Sequence, residues 1–412
     1  MAARALTSSP GTPARRGAAS REAHAEPGLE AFSPRLQVRL LVLQATPFCN
    51  IDCTYCYLPA RDSAARMPLP VVEAMIRNVI DSGLVGDRLS VAWHAGEPLA
   101  AGVAFYRRAF SCIDRIVDGR FPVHHSVQTN ATLIDQDWCD LFVEHGVDVG
   151  VSVDGPAHIH DLSRKTRDGR GTHATAMRGV DHLRRNGIRL HAIAVVTAPG
   201  LQHAEDIFDF FQNEGFVEVG FNIDEREGAH RRSSIVRTHE RAFESFLRRM
   251  VERSCAPGST LRIREVDEAR KAILRGLEWI EIAGEPYPHN AQVLPLEILS
   301  VDHAGNFSTF APELLGQHSE QYHDFVLGNV LTDALTGMSS SEAFRRMYGE
   351  ILAGVDRCRR QCEYFALCGG GAPANTLYEN GTFASAETAY CRNVVQVPLE
   401  VAIEELEWSL QE

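Results

Sequence analysis

Cys49-Asn50-Ile51-Asp52-Cys53-Thr54-Tyr55-Cys56-Tyr57 sits just after an apolar run, Val38 to Leu43. The run reads as a buried strand. Three thiols follow it in the spacing C-x3-C-x2-C. Thiolates are soft ligands and select iron–sulfur clusters, zinc or Cu(I). Four cysteines usually hold a four-iron cubane, so a local triplet leaves one iron open to a substrate. The blander readings are a zinc knuckle or scattered buried cysteines. A zinc site needs a fourth ligand with C-x2-C type pairing.

Composition bounds the rest. A chain of 412 residues can bury a large core and suggests about two or three domains. Hydrophobic residues make up 44% and charged residues 23%, ordinary for a soluble globular protein. A net charge of -13 gives no general attraction to nucleic acid or to anionic membrane. No run of eighteen apolar residues is present, so no membrane span is expected. Ten cysteines without a secretory signal point to a reducing, cytoplasmic setting and to metal binding.

Working outward, short apolar runs alternate with helical patterns. Val38–Leu43, Leu89–Trp93, Val123–Val127, Val147–Val153, Leu190–Val196 and Val217–Ile223 read as strands. Helices are expected near Leu69–Asp81, Val103–Val117, Gln136–His145, Thr175–Asn186 and Ala204–Asn213. Such alternation means βαβ units, a parallel sheet and right-handed crossovers. Residues 1–34 are rich in Ala, Arg, Ser and Pro and read as a disordered tail, although the composition also resembles a transit peptide. The expected division is then 35–235 for the βα core, 236–293 for a charged helical bridge and 294–412 for a Cys-rich domain. That last part opens with a hairpin signal at Val301–Asn306 and closes with an amphipathic helix over Pro398–Leu410.

The cysteine triplet with Tyr55 before its last member resembles the signature of radical S-adenosylmethionine (SAM) enzymes. The resemblance implies a partial (β/α)6 TIM-like barrel and a [4Fe-4S] cluster on Cys49, Cys53 and Cys56. The open iron would chelate SAM, and one electron would cleave it to methionine and a 5′-deoxyadenosyl radical.

In parallel barrels the ligand lies at the C-terminal ends of the strands. Polar motifs fall there. His94-Ala95-Gly96-Glu97-Pro98 resembles the family's GGEP turn, with Ala95 in place of a glycine. That resemblance assigns Gly96 and Glu97 to the amino group of SAM. Gln128-Thr129-Asn130 offers amide and hydroxyl groups to ribose or carboxylate, or serves as a helix cap. Ser152 and Asp154 share one side of an extended strand, and Asp154 is expected to accept from ribose hydroxyls. Arg164 resembles the arginine that pairs with the SAM carboxylate, with Lys165 and Arg167 as rivals. Tyr55 completes the cofactor-binding set. Asp224 and Glu225 stand where a carboxylate could take a proton from oxidised substrate, or could be solvated loop residues.

A second set, Cys358, Cys362, Cys368 and Cys391, has the spacing C-x3-C-x5-C followed by a distant cysteine. Four thiolates can hold a complete [4Fe-4S] cluster, with zinc as the rival. Gly369–Gly371 let the chain turn tightly around it. Cys112, Cys139 and Cys255 read as small buried hydrophobes. This tail resembles the SPASM extension of radical SAM peptide maturases, whose auxiliary clusters serve electron transfer or substrate handling. The full pattern has more cysteines, including one expected near Phe307–Pro312 that is missing here, so one auxiliary cluster is expected.

Thr46–Cys53, Trp93–Pro98, Ser308–Leu314 and Cys368–Gly371 together resemble the cyclophane-forming maturases of the Grr type over roughly residues 35 to 400. The resemblance implies an aromatic carbon joined to the β-carbon of a nearby residue in a ribosomal precursor peptide. An electron donor such as flavodoxin or ferredoxin is implied as partner. A sulfatase-type maturase, forming formylglycine, shares the same parts. A non-catalytic zinc-binding scaffold is the reading from another class. No leader-peptide-binding segment is evident.

Overall fold

The structure, a computed structural model, describes residues 37–282 and 284–409. The expected disordered tail, 1–34, lies outside the described residues. Strands and helices alternate from the start: β1 (Leu40–Leu43), α1 (Leu69–Asp81), β2 (Leu89–Trp93), α2 (Val103–Val117), β3 (Val123–Thr129), α3 (Gln136–His145), β4 (Asp148–Ser152), α4 (Ala157–Ser163), α5 (His173–Arg185), β5 (His191–Val196), α6 (Ala204–Asn213) and β6 (Glu218–Ile223). Neighbouring strands from β1 to β6 pair in parallel, as βαβ connections require.

Local sequence explains the elements. In β2, Leu89, Val91 and Trp93 are buried and alternate with half-buried residues, so one face meets the helices. In α1 the buried Val71, Val72, Met75, Ile76 and Val79 form one helical stripe. Helix α3 begins where the Asp135 carboxylate accepts from the Trp138 N–H at 3.2 Å, and ends at Gly146 in a left-handed conformation. In β5, Ala192, Ala194 and Val196 are buried against the outer layer, while Ile193 and Val195 look into a cavity.

The sheet extends beyond the six expected strands. After α7 (Glu240–Ser254), β7 (Arg262–Ile263) adds to the edge at β6, and α8 (Arg264–Arg275) follows. A small hairpin, β8 (Trp279–Ile282) with β9 (Glu285–Pro288), stands apart from the main sheet. The hairpin read at Val301–Asn306 is β10 (Ile298–Val301) and β11 (Asn306–Thr309). It is part of the main sheet: β10 pairs in parallel with β1, Leu40 opposite Ile298. Strand β12 (Gly328–Asn329) closes that side. Among the described residues the order is β12-β11-β10-β1-β2-β3-β4-β5-β6-β7. The tail then forms α9 (Glu342–Gln361), α10 (Phe365–Cys368), α11 (Pro373–Asn380) and α12 (Val397–Ser409). No described helix is long and apolar enough to cross a membrane.

Candidate active site

A cavity of about 440 Å³ opens where β1 to β6 end. Its walls include Cys49, Cys53, Tyr55, Cys56, Gly96, Glu97, Asn130, Ser152, Arg164, Asp224 and Glu225. The cysteine loop is held from several sides. Cys49 N–H donates to the Arg61 carbonyl at 2.9 Å, and the Arg167 guanidinium donates to the Cys49 carbonyl at 2.9 Å. Asn130 Nδ2 donates to Asn50 Oδ1 at 2.9 Å, tying the loop to the end of β3. Burial pushes the Cys49 and Cys53 thiols up to about 12. Such sulfurs stay neutral unless a metal replaces the proton, which fits a cluster ligand set.

The turn after β2 is built around one carboxylate. Glu97 Oε1 accepts from Leu99 N–H at 3.0 Å and from Thr129 Oγ1 at 2.7 Å; Oε2 accepts from Asn130 N–H at 2.9 Å. A carboxylate offers about four lone-pair sites, so one remains on Oε2. Burial, against those three bonds, pushes Glu97 up to about 7. A cationic amino group beside it would restore its charge, so the site fits the amino end of SAM. Gly96 is steric necessity: it has φ +65°, and a Cβ there would lie 2.5 Å from the Thr46 carbonyl and 2.7 Å from that of Phe48. Ala95 takes φ 69°, the geometry usually left to glycine.

Asp154 departs from expectation. It does not line the cavity; it is buried behind the wall. Oδ1 accepts from Arg164 Nε at 3.0 Å and from Val195 N–H at 2.9 Å, and Oδ2 accepts from the Tyr55 hydroxyl at 2.5 Å. Strand β4 ends at Ser152, so its alternation no longer places Asp154 beside Ser152. Asp154 therefore positions Arg164 and Tyr55, whereas Ser152 accepts from Gln128 Nε2 at 2.8 Å at the wall. Of the three cationic rivals only Arg164 lines the cavity, its guanidinium 5.4 Å from the Tyr55 ring centre. Arg167 is spent on the cysteine loop.

Opposite lies an acidic wall. Asp224 lines it with both oxygens engaged, Oδ1 with His230 Nε2 at 2.8 Å and Oδ2 with Ser234 N–H at 2.7 Å. Glu225 Oε2 accepts from Asn375 Nδ2 at 2.6 Å. Burial and the neighbouring Glu313 and Glu379 push Glu225 up to about 8, while Glu227 is driven well above the carboxylate range by burial and by Glu225. Glu227, Glu313, Asn375, Tyr57, His94 and Tyr390 escaped sequence reasoning. Only Glu227, two residues past Glu225, carried any local signal.

The tail cysteines meet at a separate small cavity lined by Cys358, Cys362, Cys368 and Cys391. Cys358 sits in the last turn of α9, Cys362 caps it, Cys368 ends α10 and Cys391 opens a π-helical turn before α12. Gly371 N–H donates to Cys368 Sγ at 3.2 Å. No three of these sulfurs come within 4.8 Å of one another. A tetrahedral zinc would hold its sulfurs at about 3.8 Å. The wider spread suits a cluster.

Comparison with known proteins agrees. Residues 43–211 match the Radical SAM superfamily model. An uncharacterized protein of Synechocystis sp. is 42% identical over 376 residues, 90% of this chain and 92% of that protein. A serine-type anaerobic sulfatase-maturating enzyme of Klebsiella aerogenes is 34% identical over 203 residues, 48% of this chain and 50% of that protein. The solved structure of native anSMEcpe with bound AdoMet and Cp18Cys peptide shares the fold, with a TM-score of 0.73, 22% identity and coverage of 90% of this chain and 98% of that one. The chain belongs to the radical SAM superfamily. It is an enzyme that uses SAM and a [4Fe-4S] cluster, and its tail cysteines fit an auxiliary cluster.

Proposed function

We propose that the enzyme matures a peptide by oxidising the β-carbon of one residue. The observation that carries this reading is the cavity itself. It sets the SAM-facing residues Glu97 and Arg164 on one wall and the raised carboxylates Glu225, Glu227 and Glu313 on the other. Cys49, Cys53 and Cys56 would hold the first cluster, and Cys358, Cys362, Cys368 and Cys391 the auxiliary one. When bound, these groups and SAM supply one-electron chemistry: a 5′-deoxyadenosyl radical that takes a hydrogen atom, and an acceptor for one electron. The chain's part is to hold the peptide carbon there and to accept the proton that leaves. Glu225 is the acceptor, since Asp224 has both oxygens committed.

Two products satisfy the same balance. The Grr-like motifs support a cyclophane crosslink, in which the β-carbon bonds to an aromatic carbon and the ring loses its proton. The identity to sulfatase-maturating enzymes supports formylglycine, in which the side-chain hydroxyl or thiol loses its proton. A crosslink and serine oxidation both remove two hydrogens, but only the aldehyde reacts with a hydrazine. Peptides of each kind, incubated with reduced enzyme and SAM, therefore separate the readings. Glu225→Gln should keep slow 5′-deoxyadenosine formation and lose modified peptide. Wild-type modification should rise with pH up to about 8, where Glu225 becomes ionised. Normal peptide turnover by Glu225→Gln would remove it from the reaction.

A further inference from the structure

We propose that His158, His203 and Asp206 form a binding site for a divalent transition-metal ion, separate from both cysteine sets. The ligand atoms are His158 Nε2, His203 Nδ1 and an Asp206 carboxylate oxygen, all within 4.8 Å of one another. Asp206 Oδ2 lies 3.0 Å from His203 Nδ1 and 3.5 Å from His158 Nε2. With metal–ligand bonds of about 2.1 Å, adjacent ligand atoms are about 3.0 Å apart in an octahedron and about 3.4 Å in a tetrahedron. The three atoms already stand at that separation. Two imidazoles and one carboxylate suit zinc, iron, nickel or copper better than magnesium or calcium.

Rigid packing sets this geometry. His158 is the second residue of α4, His203 directly precedes α6, and Asp206 is in its first turn. The turn before α4 presses on α6 at Gly155, which has φ +127°; a Cβ there would lie 3.1 Å from Ile207 Cγ1. Ile207, next to Asp206, is buried. Bulkier residues at this contact would push α4 and α6 apart, so the ligands meet without rearrangement. Glu205 does not compete, because Arg249 and Arg253 hold its carboxylate. Side-chain exposure of 56% for His158, 39% for His203 and 54% for Asp206 leaves the remaining coordination positions to water. The site is thus an exchangeable one. Its ion clips together the connections leaving β4 and β5, the strands that bring Ser152, Ile193 and Val195 to the SAM cavity.

The test uses the reconstituted holoenzyme, whose cysteines are occupied by iron. Dialysis against graded Zn²⁺, with zinc and iron counted together, should show about one zinc per chain bound in the micromolar range, with iron unchanged. His203→Ala and Asp206→Asn should each weaken that zinc at least about 10-fold, since loss of even an outer partner has that effect. His182→Ala, an exposed histidine elsewhere, should bind as wild type. Both ligand variants alter exposed side chains, and a wild-type iron count and melting profile establish that they fold. A chain that binds no zinc, or variants that bind it as tightly as wild type, would overturn the proposal.

Discussion

Replacing Asp154 by Asn keeps its shape and removes the charge facing Arg164. The Arg164 side chain is 8% exposed, so an unpaired guanidinium there is costly. Asp154→Asn should weaken SAM binding, by about 1.5–3 kcal/mol if Arg164 loses its aim and its charge-assisted contact. Equilibrium binding to the reconstituted enzyme measures this; an unchanged affinity would show that Tyr55 and the wall position Arg164 unaided. The residue was legible as a site residue but not as a positioning one, because two-residue periodicity stops where β4 stops. His125 was not legible at all. It is buried with neither ring nitrogen paired among the described residues, 4.3 Å from the Phe110 ring. Burial, then His145 and His124, push it down from 6.5 to about 4. Between those values the unfolded chain binds a proton that the folded chain refuses, so stability falls as pH falls through this window. From about pH 7.5 to about pH 6 the loss is about 0.8 kcal/mol. His125→Phe should abolish that portion of the pH slope in denaturant melts, and identical slopes in both proteins would assign it elsewhere.

Among the elements, the six βα strands were readable because each couples an apolar run to a helical stripe of ordinary length. Helix α4 was not, since its seven residues are too few to show a period. Helix α9 was missed for another reason. Cys358 and Cys362 drew attention as a metal knuckle, whereas the cysteines end a 20-residue helix whose Ser341 cap accepts from Phe344 N–H at 3.0 Å. The tail site thus hangs on a rigid helix end, on α10 and on the start of the Cys391 turn. Such a site should load independently of the first. Changing Cys49, Cys53 and Cys56 together to Ala should leave about four irons per chain. Zinc at that point, or no metal, would refute the auxiliary cluster.

At the scale of the whole molecule, the tail is not an appendage to the barrel. A pairing between β1 and β10, near opposite ends of the chain, leaves no local trace in sequence, so the hairpin was legible and its partner was not. Its consequence can be tested by ending the chain at residue 293. That removes β10, along with Glu313, Asn375 and Tyr390 from the cavity wall. Strand β1 would then become a bare edge, although Leu41 and Leu43 are fully buried and Val42 nearly so. Uncovered apolar edges in a parallel sheet invite pairing with other chains. The shortened protein should aggregate, or fail to assemble iron on Cys49, Cys53 and Cys56. The full-length Cys358→Ser, Cys391→Ser variant loses the tail metal but keeps β10, so it should remain monomeric in size-exclusion chromatography and still cleave SAM. A shortened chain that stays monomeric, takes up about four irons and cleaves SAM would show that the barrel folds without its tail strand. In that case the pairing of β10 with β1 would be a docking contact between separable domains.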